Sequence, residues 1–66
     1  MQRLTDRITA DPKICDGDAT VRGLPITVTT ILDSVRAGQS HREIIEDYPS
    51  LEDGDINACL RFAGML

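Results

Sequence analysis

Apolar residues recur at helical spacing through the second half of the chain. Val28, Ile31, Leu32 and Val35 fall at i, i+3, i+4 and i+7, the single stripe of an amphipathic helix. Thr27 can cap its start and Gly38 its end. Ser40-His41-Arg42-Glu43 has the form of a capping box, in which the serine oxygen takes an N3 amide and the glutamate reaches back to the cap. It opens a short second helix that buries Ile44, Ile45 and Tyr48. That helix stops at Pro49, because the residue before a proline is pushed out of helical geometry. Ile56, Cys59, Leu60 and Ala63 repeat the stripe on a third helix. The links between the helices are short, so consecutive helices must be neighbours and three stripes can share one core.

Before Ile26 the pattern is different. Short β-favouring pieces, Arg7-Ile8-Thr9 and Thr20-Val21-Arg22, alternate with the breakers Asp11-Pro12, Asp16-Gly17-Asp18 and Gly23-Leu24-Pro25. These predict a small ribbon or hairpin. A lone hairpin is marginal in water, so Ile8, Ile14, Val21 and Ile26 are expected to pack on the helices. The expected fold is therefore mainly α: residues 1–26 form a short β-ribbon segment, and residues 27–66 a three-helix, homeodomain-like helix-turn-helix core. The two together make one domain.

Length limits what such a domain can do. A chain of 66 residues buries only about 60% of its unfolded surface, near the lower limit for folding alone, so a partner or a second copy is expected. The N-terminus is charged and lacks the apolar stretch of a signal peptide, and no run has the length that spans a bilayer. A cytoplasmic protein that keeps away from membranes is expected. Cys15 and Cys59 lie far apart without metal-ligand spacing and are read as reduced thiols.

Charge then bears on partners. The formal net charge is −4, the wrong sign for a protein that coats nucleic acid. Residues 1–36 balance to zero, and the acidic excess lies in residues 37–66, where six acids face Arg42 and Arg61 alone. The helix-turn-helix spacing admits two readings, a DNA-reading module or a three-helix core with no role on DNA. The first turn of the third helix holds Glu52, Asp53 and Asp55. These acids suit the helix dipole, worth roughly 0.3–1 kcal/mol each, but would repel phosphates. Arg22, Arg36 and Arg42 are the better candidates for any DNA contact, with Arg3 and Arg7 beside them. At the other end Phe62, Met65 and Leu66 fall off the core stripe and predict an apolar contact with a partner or in a homodimer.

Catalysis has little to build on. His41 is the sole histidine and sits at the first turn of an exposed helix, with no spacing that argues for a Cys–His pair. Asp16 and Asp18 lack the further oxygen ligands of a calcium loop. No catalytic residue, cofactor or metal ligand is expected.

The order of these signals resembles a known family. Arg7-Ile8-Thr9 with Asp11-Pro12, Val21-Arg22-Gly23, Ile31-Leu32, Gly38, Ser40, Glu43-Ile44, Tyr48-Pro49, Leu51 and Asp55-Ile56 resemble domain of unknown function 433, over about residues 7–63. That resemblance implies a prokaryotic, antitoxin-like helix-turn-helix protein that neutralises a PIN-like ribonuclease toxin and can repress its own operon. The chain departs from the family pattern at Leu24-Pro25, where a threonine and an arginine are usual. It departs again at Glu52, which replaces a threonine cap, and at Gly54, which replaces a common glutamate. On the protein-binding reading Phe62, Met65 and Leu66 supply buried anchors while Asp53 and Asp55 steer the encounter. The alternatives are a DNA-binding transcriptional regulator and a dimeric interaction domain with no nucleic-acid role.

Overall fold

The computed structural model describes residues 1–65, so Leu66 lies outside the described residues. Three strands come first: β1 (Gln2–Arg3), β2 (Ile8–Asp11) and β3 (Ile14–Val21). Three helices follow: α1 (Val28–Arg36), α2 (His41–Asp47) and α3 (Asp53–Phe62). The strands form one antiparallel sheet in the order β1-β2-β3, with Arg3 opposite Thr9 and Ile8 opposite Val21.

About 40% of the chain is helix and 23% strand, so the expectation of a mainly α fold is corrected to a three-stranded sheet followed by three helices. Two local features concealed the sheet. Strand β1 is two residues long, too short for any alternation to register. Asp16-Gly17-Asp18, read as a breaker, lies inside β3, where the ladder slips between Ala10 and Asp11. Ala10 pairs with Ala19 and Asp11 with Ile14, so residues 15–18 bulge out of the pairing. Cys15 and Asp16 there hold φ of 50° and 55°, a left-handed conformation costing about 1–2 kcal/mol per residue, and Gly17 beside them takes 89° at no steric cost.

The helices start and stop for the reasons their sequence gives. Thr27 Oγ1 accepts the Thr30 amide at 3.1 Å, and Ser40 and Glu43 form the reciprocal capping box. Gly38 follows α1 at φ 89°, as the turn out of a helix prefers.

One core joins the two halves: Ile8 and Val21 from the sheet, Val28 and Ile31 from α1, Ile44 from α2, Leu51, and Ile56, Cys59 and Leu60 from α3. Leu32, Val35, Ile45 and Tyr48 are half-buried at its margin. Ala63, placed on the buried stripe by its spacing, is exposed because α3 ends at Phe62.

Candidate functional site

The start of α3 meets the sheet through charge. Arg7 leads into β2 and Arg22 leaves β3, so the antiparallel pairing brings both guanidinium groups to the same end of the sheet, against Asp55. Asp55 is 0% exposed. Arg22 grips it as a fork, Nε to Oδ1 at 3.0 Å and Nη2 to Oδ2 at 2.9 Å, and donates further to the Ser50 carbonyl. Arg7 Nη1 donates to Asp55 Oδ1 at 3.0 Å and to Glu52 Oε1 at 2.8 Å. The Glu52 amide donates to Asp55 Oδ2 at 2.8 Å. Each oxygen of the carboxylate thus accepts two bonds, about its full capacity.

Burial pushes the Asp55 carboxyl up, but the bonds from Arg22, the Glu52 amide and Arg7 outweigh it and hold the group below its usual range. Both arginines are held above their ordinary value, Arg7 chiefly by its bond to Glu52 and Arg22 by its bond to Asp55.

Gly54 makes room for this arrangement. A Cβ there would lie 2.8 Å from Arg7 Cζ, so a side chain at this position would displace the guanidinium. The glycine at this position therefore has a steric reason.

The residues expected to meet a partner or DNA do not gather in one place. Asp55, expected to steer a partner, is buried and saturated by bonds within the chain. Arg22, expected to meet phosphate, is committed to Asp55. Arg36 and Arg42 are exposed and lie 3.7 Å from Asp33 and Glu46 respectively. Such exposed pairs are worth little, so these two remain accessible. Asp53 is 74% exposed and lies 3.6 Å from His41. Phe62 and Met65 are 42% and 44% exposed, whereas Leu66 lies outside the described residues.

Asp53 and Phe62 stand nine residues apart on α3, about 13 Å along its axis and half a turn around it. They line different depressions. Asp53 borders an open groove of about 700 Å³ floored by Ile45 and Pro49 and edged by Glu46. Phe62 borders a second one, of about 370 Å³, between α3 and the turn before β2.

Sequence reasoning missed the ion cluster, although it named Asp55 and Arg22 singly. The available signal was Asp55 at the N3 position of α3, where a capping acid belongs. Its partners lie 33 and 48 residues away, beyond the reach of any local pattern.

The buried Cys59 thiol is pushed up to about 11, first by its burial and then by the charge of Asp55, so it stays protonated and unreactive at neutral pH. Among the described residues no group of three or more His, Cys, Asp or Glu side chains is placed to hold a metal ion, and no helix is long and apolar enough to cross a membrane.

The family model described as "Protein of unknown function (DUF433)" matches residues 8–63. No curated protein and no solved structure matches the chain.

Proposed function

From a chain that belongs to the DUF433 family, we infer a small cytoplasmic protein-binding module of the antitoxin type, which neutralises a basic, PIN-like ribonuclease by occupying its surface. The observation that carries this reading is the use of the chain's own cations. Arg7 and Arg22 are spent on Asp55 and Glu52, so five cations remain against nine acids and the net charge of −4 stays on the outside. A polyanionic partner is repelled by such a surface and a polycationic one is drawn to it.

The groove between α2 and the start of α3 fits that partner best. Ile45 and Pro49 give it an apolar floor, and Glu46 and Asp53, both more than two-thirds exposed, line it. Arg42 and His41 line it too and lie 3.7 and 3.6 Å from Glu46 and Asp53, in loose exposed pairs that a partner's cations can replace. An apolar segment flanked by lysine or arginine would bury its body there and pair its cations with the two carboxylates. Recognition of this kind needs no reacting group.

The test is to purify the chain together with the nuclease encoded beside its gene and to titrate the nuclease on an RNA substrate. Stoichiometric loss of cleavage is expected, with slower association in the Glu46→Lys, Asp53→Lys double variant and little change in the dissociation rate. Full cleavage at excess chain, or nanomolar binding of its own upstream DNA at physiological salt, would overturn the reading.

A further inference from the structure

The second depression sits on the side of α3 turned away from the core. Gly54, Asn57, Ala58, Arg61 and Phe62 line it, at i, i+3, i+4, i+7 and i+8, opposite the buried stripe of Ile56, Cys59 and Leu60. Thr5, Asp6 and Arg7 form its other wall. Ala58 is small, the Arg7 guanidinium lies against Gly54, and an exposed aromatic ring stands at one end. Asp6 and Arg61 are both exposed, and neither enters a salt bridge among the described residues. The groove therefore carries one unneutralised acid, one unneutralised base and one bare phenyl group.

We propose that this groove is the contact between two copies of the chain, with α3 lying antiparallel on its twin about a two-fold axis at Ala58. In that register a residue a given number of places after Ala58 faces the residue as many places before it. Phe62 of one copy then comes over Gly54 of the partner subunit, where its ring meets the partner's Arg7 guanidinium, which fills the space beside that glycine. Arg61 comes over the first turn of the partner's helix, beside which the partner's Asp6 lines the same groove. The two-fold repeats both contacts, so the surface supplies ring and cation, acid and base, as a self-complementary interface must.

A heterologous segment would need to match both charges and the exposed ring by separate means. Duplex DNA would set its phosphates against Asp6. A second copy has the required complement by symmetry, and it also enlarges a core close to the minimum for independent folding. The surface is distinct from the groove bordered by Asp53 and Glu46, so the proposal does not depend on the nuclease reading.

Sedimentation equilibrium of the full chain at micromolar concentration tests it. The wild-type chain should have twice the 7.2 kDa mass of one chain. Asp6→Arg and Arg61→Glu each turn two attractions into two repulsions and should raise the dimer dissociation constant about tenfold or more. Phe62→Ala should raise it about tenfold or more. Mixing Asp6→Arg with Arg61→Glu pairs every charge again and should restore the dimer as a heterodimer, with circular dichroism confirming that each variant is folded. A wild-type mass of one chain, or a mixture no more associated than its components, would overturn the proposal. So would a monomer whose binding of upstream DNA is abolished by Arg61→Glu, since that would give this face to nucleic acid.

Discussion

Asp55→Asn tests whether the ion cluster ties the sheet to α3. The substitution keeps the shape of the side chain and removes its charge. Its amide nitrogen would face donors from Arg22, Arg7 or Glu52 instead of accepting from them, leaving at least two of the four bonds unmade. Removing one partner of a fully buried ion pair costs roughly 3–5 kcal/mol. Here Asp55 is wholly buried, but the side chains of Arg7 and Arg22 are 37% and 39% exposed, so water screens the stranded cations. The discounted loss is about 2–3 kcal/mol. In so small a domain that lowers the thermal midpoint by about 8–24 °C. Urea unfolding followed by circular dichroism at neutral pH gives the loss directly from the shift in midpoint at unchanged slope.

The pH dependence supplies a second readout with a fixed sign. Asp55 titrates lower in the folded chain than its ordinary value of 3.8. Its contribution is therefore present above pH 4 and lost as the pH falls through the folded value. The wild type should lose stability over that acid range by more than Asp55→Asn does. Equal midpoints for the two proteins at neutral pH, or equal acid sensitivity, would refute the role given to this carboxylate.

Three further outcomes follow from the same contacts. Gly54→Ala brings a better helix former to α3 but drives its Cβ against the Arg7 guanidinium. Removing that guanidinium by Arg7→Ala should let Gly54→Ala gain about 0.5–1 kcal/mol that it does not gain in the wild type, and an additive double-mutant cycle would dismiss the clash. Ile31→Ala, at a position 0% exposed, should cost about 2–5 kcal/mol, comparable to the stability expected of so small a core. A cooperative melt near the wild-type temperature would contradict that placement. Thiol labelling at pH 8 should modify half-buried Cys15 while Cys59 reacts only as fast as the chain opens, and equal rates for the two would contradict the burial of Cys59.

The helices were legible because their signals are local. Thr27 before Val28, Ser40 three residues ahead of Glu43, and apolar residues three and four apart act within one or two turns, and all but Ala63, past the end of α3, appear in the structure as the sequence suggests. The buried Ile8 and Val21 were legible for the same reason, since β-branched residues between breakers mark strands. The third strand was not, because two residues carry no periodicity and β1 exists by virtue of the edge that β2 offers it. The long bulge in β3 also eluded a reading in which Asp-Gly-Asp ends a strand.

Charge was the quantity that the sequence could count but not place. Composition fixed a net −4 and an acidic second half. It could not tell a solvated aspartate from a buried one, because that depends on what folds over it. Asp55 changed from a surface acid to the hub of the domain when β-pairing carried Arg7 and Arg22 to the head of α3. Its neighbour Asp53, two residues away and on another side of the helix, stayed in water. Spacing along a chain determines which side chains share a face, whereas the approach of distant segments determines which charges are neutralised, and that approach exists only in three dimensions.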